Sequence, residues 1–571
     1  MLLAGVSVVF VFYSHLMRRP QNYFNRQPNF ESFGVEPPIE LLGPLLPSDR
    51  RSHPIDQLIR SAETQFLELQ KAQSNSLQEA VAEYRRRYGV HPPPKFDMWY
   101  EFARRRNVQL IDEYDTVFEQ LKPFWGLTPQ VIRSRVAEAI GYENMLLTVM
   151  IRGGETVKVV GGSEWQQDAT TRMMESFVHF LPDMDLPFNI HDEPRVIVPS
   201  DNLARLVNTA LTKYMPEALA TQDPKNHFSE RPRDVGSGNR IPEVRTTRFN
   251  KFAHQPTWTH SRASCAASSP ARDYEEVSKD NVTSYAFSEL GFVFNQSAFQ
   301  DICMSPSLRE TFGFFDRPNA FNIVQDLFPI FSQSKISSFQ DILYPSPWYW
   351  ATRVGYVEER DMDWEKKENQ LYWRGSTTGG FSRAGGWRRQ HRQRVVRKIN
   401  APDRAKILAN RAAENEPHWA PEEVNRKDFA PSMNVRFSHV GQCDPGDCDA
   451  QKDFFEIAEK ADQQDAWKYK YLLDMDGNAF SGRFYAFLKS KSLVYKMAVF
   501  QEWHKDWLKP WVHYIPISLK GDDWLEAVRY FSGEPEGKLQ APRLAQQGRD
   551  WSSKALRNED FEVWFFRLLL E

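Results

Sequence analysis

The sequence predicts an α/β protein with two domains and helical tails. Three observations point there. At 571 residues the chain is too long for one hydrophobic core. From Phe96 onward, short apolar runs alternate with stretches of helical periodicity. Residues 467–483 then read as a strand, a glycine-containing turn and the start of a helix.

Composition narrows the function classes. Hydrophobic residues at 41% and charged residues at 26% describe a soluble globular chain. A formal net charge of -3 leaves no basic bias, so nucleic acid is set aside as a partner. Aromatic residues make up 13%, which suits stacking on flat ligands or sugars and suits thick cores equally.

Met1 to Met17 carries no charged residue, and Arg18-Arg19-Pro20 ends the run. A membrane span takes about 20 apolar residues, and no early basic region or cleavage site marks a removed signal. The expectation is an uncleaved signal anchor on a single-pass type II protein, with its catalytic part in the lumen of the Golgi or endoplasmic reticulum. The two arginines oppose that orientation; a buried segment is the alternative. A polar stem follows, and then two helical faces: Leu58, Ala62, Phe66 and Leu69, and Leu77, Val81, Tyr84 and Tyr88. Gly89 and Pro92-Pro93-Pro94 end the second.

A polar insertion at 223–305 holds the sequons at Asn281 and Asn295. It also holds Cys265 and Cys303. The other two cysteines, Cys443 and Cys448, flank the turn-forming string D-P-G-D. An even count fits disulfides in an oxidising compartment. Cys443 with Cys448 would close a short loop and Cys265 with Cys303 would staple the insertion, although four cysteines allow three pairings. Zinc-ligand spacings are lacking.

Three segments carry chemistry. In 467–483 the strand-to-helix turn is a favoured place for a diphosphate, with Arg483 as phosphate ligand or as partner of Asp474 or Asp476. The string Q-L-Y-W-R-G-S-T-T-G-G at 370–380 runs a strand into small and hydroxyl residues, either a phosphate loop or a tight turn. In L-P-F-N-I-H-D-E-P-R-V at 186–196, Asp192 stands at a strand end, as a general base or as a turn former.

These strings, with L-K-P-W-V-H-Y-I-P-I at 508–517 and H-P-P-P-K-F-D-M-W-Y-E-F-A at 91–103, resemble glycosyltransferase family 90. That family holds the Rumi-type protein O-glucosyltransferases and the capsule-associated xylosyltransferases of fungi; the resemblance covers roughly residues 90–540 and is closest to fungal members. It implies a GT-B fold of two facing Rossmann-like domains. It implies inverting transfer of xylose or glucose from a UDP-sugar to a glycan or glycoprotein, with no cofactor beyond that co-substrate and no essential metal. Asp192 matches the catalytic base. Arg374, Gly375, Ser376 and Thr377 match one donor-binding loop, although Rumi-type members carry Arg where Thr377 stands. Asn478, Ala479, Phe480, Ser481, Gly482 and Arg483 match the second.

The resulting layout is an anchor at 1–17, a helical stem at 18–90, an acceptor domain at 91–350, a UDP-sugar domain at 351–540 and a C-terminal helix at 541–571. Two rivals stay open. One is a metal-dependent transferase using Asp183/Asp185, Asp361/Asp363 or Asp474/Asp476 as D-x-D ligands. The other is a non-catalytic carbohydrate-binding luminal protein.

Overall fold

The computed structural model describes residues 50–571 except 253, 274–278, 413–415 and 519. The anchor and nearly all of the polar stem lie outside the described residues. Among the described residues no helix is long and apolar enough to cross a membrane.

Helices α1 (Pro54–Lys71) and α2 (Leu77–Tyr88) stand where the periodicity places them. Ser76 caps α2 by accepting from the Glu79 amide, and Gly89 ends it at φ 65°, a left-handed conformation that glycine adopts freely. Helix α3 (Phe96–Arg105) buries Phe96, Trp99, Tyr100, Phe102 and Ala103 along one stripe.

The first sheet is mixed. Its strands β1 (Leu146–Arg152), β2 (Glu155–Val160), β3 (Met184–Asn189), β4 (Phe331–Ser332) and β5 (Ile342–Leu343) lie in the order β2-β1-β3-β4-β5. The pairs around β1 are antiparallel and those from β3 to β5 parallel. Helix α4 (Glu164–Glu175) follows β2 and opens with a capping box between Ser163 and Gln166.

The second sheet is entirely parallel. Its strands β6 (Glu368–Ser376), β7 (Met433–His439), β8 (Tyr469–Met475), β9 (Leu493–Met497) and β10 (Ile515–Pro516) lie in the order β7-β6-β8-β9-β10. Every residue of β9 is buried, as both faces of a covered parallel sheet require. Helix α5 (His391–Ile399) follows β6, and the short helix α6 (Phe484–Lys489) follows β8.

Three boundaries differ from the sequence reading. Strand β8 runs through Asp474, which pairs with Lys496 in the ladder, so the turn begins at Asp476. The helix begins at Phe484 rather than Ser481. The carbonyls of Ser481 and Gly482 are occupied by Tyr349 Oη at 2.7 Å and Trp348 Nε1 at 3.1 Å, which holds the segment out of the helix. The C-terminal helix is two: α7 (Pro535–Ala555), which runs through the expected boundary at 541, and α8 (Asn558–Leu570), where Asp560 caps back onto the Arg557 amide at 2.8 Å.

The chain ends tie the two sheets together. Ile55, Leu58 and Ile59 of α1 join the core of the second sheet, so this part of the expected stem is integral. Phe565 and Phe566 of α8 pack on Phe188 and Phe102 beside the first sheet. Both expected disulfides form, Cys265–Cys303 and Cys443–Cys448. Asn281 is exposed. Asn295 is a correction: at 1% exposure, its side chain accepts from the Ala298 amide and caps a helical turn, leaving no room for a glycan in the folded protein.

Candidate active site

The carboxyl ends of β6 and β8 carry the two loops that the sequence nominates, and the structure brings them together. Asn478 Oδ1 accepts from the Gly379 amide at 3.2 Å, and Arg483 Nη1 donates to the Arg374 carbonyl at 2.6 Å. Gly379 and Gly380 sit at φ 112° and 147°. A Cβ on Gly379 would meet the His391 ring at 2.7 Å, so only glycine fits between the loops. The carboxyl end of a parallel sheet is where α/β proteins bind ligands.

A buried network fixes the second loop. Ser481 Oγ donates to Asp474 Oδ1 at 2.5 Å, and Lys496 Nζ holds the other Asp474 oxygen at 3.1 Å. Asp476 Oδ2 accepts from the Val499 and Phe500 amides, and burial pushes its pKa up to about 7. Ala479 and Phe480 pack into an apolar cluster with Ile197 and Val499, so this loop also touches the first half of the chain.

The site contains a group that sequence reading missed. Arg392, in the first turn of α5, reaches between the loops. It donates to the Asp476 carbonyl at 2.8 Å, the Ser376 carbonyl at 3.2 Å and Thr378 Oγ1 at 2.9 Å. Its neighbour His391 accepts from the Gly313 amide at Nδ1 and donates from Nε2 to the Asp476 carbonyl; burial lowers its pKa to about 3, so the ring is neutral. The sequence W-R-R-Q-H-R-Q-R reads as a solvated basic helix face, and no local signal marks which arginine turns inward.

The charge balance here is one-sided. Arg392 is buried, and desolvation, followed by repulsion from Arg483, lowers its pKa to about 9. Burial lowers that of Arg483 as well. Arg374 spends its guanidinium on the Trp373 carbonyl and on Asn434. Among the described residues, none of these three arginines is ion-paired to a carboxylate. Asp474 and Asp476 offset part of the charge on Arg483 and Arg392 from a distance, and a bound anion would add a direct charge-assisted partner.

Other nominated residues fall differently. Ser376 Oγ bonds Thr378 Oγ1 at 2.8 Å and stays half-buried at the loop. Thr377 is buried, and its hydroxyl is spent on Gly441, bonding both the carbonyl at 3.1 Å and the amide at 3.0 Å. Gly375 lies tight against Trp373 within β6. The D-x-D pairs are turned onto protein donors: Asp185 onto Arg152, Asp183 onto Arg231 and the Gly153 amide, Asp361 onto Lys367 and Tyr356, Asp363 onto Lys491. Among the described residues no group of three or more potential metal ligands occurs.

Asp192 lies just beyond β3. Asn189 shapes its loop, accepting from the His191 amide at 3.1 Å and donating to the Glu193 carbonyl at 2.7 Å. Asp341 then anchors the exit, accepting from the amides of Arg195 and Val196. Between these ties the Asp192 carboxyl faces solvent, yet protein surrounds it so closely that lost hydration raises its pKa. Glu193 beside it is buried, and desolvation and then the Asp192 charge push its pKa up to about 8. One segment spans from this carboxylate pair to the loop after β6. The Ala320 amide donates to Glu193 Oε1 at 2.9 Å, and the Arg317 carbonyl accepts from the Phe381 amide at 2.6 Å.

With this geometry in place, comparison with known proteins identifies the second half of the chain. Residues 313–571 match the model of glycosyl transferase family 90. That stretch is similar to family 90 glycosyltransferases. The matched stretch includes both loops, Arg392 and the 313–320 segment, whereas Asp192 precedes it. The O-glucosyltransferase rumi of Drosophila melanogaster is 25% identical over 252 residues, 42% of this chain and 53% of the fly protein. Protein O-glucosyltransferase 1 of Rattus norvegicus is 25% identical over 288 residues, 47% of this chain and 62% of its own. Its Homo sapiens counterpart is 24% identical over the same length. The chain therefore spans between about half and three fifths of the curated relatives it matches.

Proposed function

We propose that this protein is an inverting, metal-independent glycosyltransferase that moves glucose or xylose from a UDP-sugar to a hydroxyl of a glycan or glycoprotein. The observation that carries this reading is the meeting of buried Arg392 and half-buried Arg483 where two glycine-bearing loops join, neither of them in direct ion-pair contact with a carboxylate among the described residues. A diphosphate supplies the missing negative charge. In the reaction, Asp192 removes the proton of the acceptor hydroxyl as its oxygen attacks the anomeric carbon from the face opposite the leaving group. The bond to UDP breaks, and the two guanidinium groups stabilise the charge that develops on the diphosphate. Cleft alignment of donor and acceptor supplies the orientation advantage.

In this reading the two sheets are the halves of a GT-B fold, with the acceptor beside β3 and the donor beside β6 and β8. The printed names of the relatives favour glucose; the fungal-type strings favour xylose. The two disulfides support a secretory compartment. The test is UDP release from a panel of UDP-sugars, with and without EDTA, for wild type and Asp192→Asn. One sugar should be turned over in EDTA, and Asp192→Asn should lower that rate by about 10²–10⁴. Loss of turnover in EDTA would instead support a metal-dependent enzyme.

A further inference from the structure

An aromatic pair links the two sides of this site. Trp165 lies in the first turn of α4, next to Gln166, whose Nε2 donates to the Ile190 carbonyl at 3.2 Å, just before Asp192. Trp348 lies at the crossing between the sheets. Its Nε1 donates to the Gly482 carbonyl at 3.1 Å, and its indole packs so closely on Gly482 that a Cβ there would meet it at 2.4 Å. The two indoles meet edge to face, with centroids 5.8 Å apart and planes at 80°. Trp165 therefore sits next to a residue tied to the loop of the proposed base, and Trp348 touches the proposed donor loop.

Neither ring is fully buried, unlike Trp373, Trp503 or Trp564 in the cores. Exposed Arg353 lies over both, 5.0 Å from the Trp165 centroid and 5.6 Å from that of Trp348, with no carboxylate partner among the described residues. Half-open indoles beside an unpaired cation offer an electron-rich face and directional donors together. A pyranose ring matches both: its C–H face rests on an indole and its hydroxyls take the guanidinium donors.

We propose that Trp165 and Trp348 form the platform on which the sugar ring of a saccharide acceptor rests, with Arg353 at its rim. This rests on the glycosyltransferase reading above and names its acceptor class. The test uses methyl glycosides of glucose, galactose, mannose and xylose, and a serine peptide, titrated onto UDP-loaded protein by saturation-transfer NMR. At least one glycoside should bind wild type. Trp165→Ala should weaken it by about tenfold, Arg353→Gln should weaken it measurably, and Trp165→Phe should restore most of it, with UDP affinity constant throughout. Arg353 is exposed and stacks on both indoles, so its variant tests the rim and its ring contacts without opening a core. Glycoside affinity unchanged in Trp165→Ala and Arg353→Gln, or binding of the peptide alone, overturns the platform and leaves the donor site standing. Failure of wild type to bind UDP removes the donor reading and the platform with it.

Discussion

Arg392 and Glu193 are the residues whose environments say most about mechanism. Replacing Arg392 with Gln keeps a donor but removes the charge. A charge-assisted hydrogen bond is worth roughly 1.5–3 kcal/mol, so UDP should bind about 10- to 100-fold more weakly, as calorimetry would show. Glu193 makes a pH prediction. Its folded pKa of about 8 lies above the ordinary 4.5, so the folded state keeps a proton that the unfolded chain releases. Stability from this group is full below about pH 4.5 and is lost as pH rises toward 8. Thermal melts should show wild type losing stability relative to Glu193→Gln across that window; parallel curves would contradict it. At this scale the sequence was partly legible. Arg483 follows from a strand–turn–helix pattern, because spacing along one segment is local, whereas Ser481 follows from the family string. Asp192 stands out only through the family string, since a carboxylate at a strand end looks like any turn former. Arg392 was invisible, because its role comes from the way α5 is set against β6 and β8.

Elements differ in how much they are held by covalent ties. Cys265–Cys303 closes a long loop, with a sequence separation of 38, and lies in an apolar cluster with Phe314 and Phe339. Cys443–Cys448 has a separation of 5. Loop entropy then assigns about 4 kcal/mol to the first and about 2 kcal/mol to the second. Denaturant unfolding of the two double Cys→Ser variants should show the larger loss for the 265/303 pair. The α/β alternation and helices α1 and α2 were legible because their periodicity and stops are local. The start of α6 was not: the carbonyls that would extend the helix are taken by Trp348 and Tyr349, more than 130 positions away in sequence.

The whole molecule is closed by its own ends. Helix α8 is the strongest case. Trp564 is fully buried against Trp503, Val563 accepts from Trp99 Nε1 at 3.1 Å, and Arg567 lies over the rings of Tyr84, Phe96, Trp99 and Tyr114. Trp564→Ala should cost about 3–5 kcal/mol, read as a fall in the denaturation midpoint. A change near zero would mean that α8 is an appendage. The sequence reads this tail as one helix from 541, whereas Asp560 caps back onto the Arg557 amide and starts a second one.

The central claim is that the meeting point of the two loops is a diphosphate site built on arginine rather than on a metal. Calorimetric titration of UDP in EDTA tests it most directly, comparing wild type with Arg392→Gln and UDP with uridine. UDP is expected to bind wild type in EDTA, to bind the variant about 10- to 100-fold more weakly, and to bind far better than uridine. Equal affinity of UDP for both proteins, or no binding to wild type, would contradict the account.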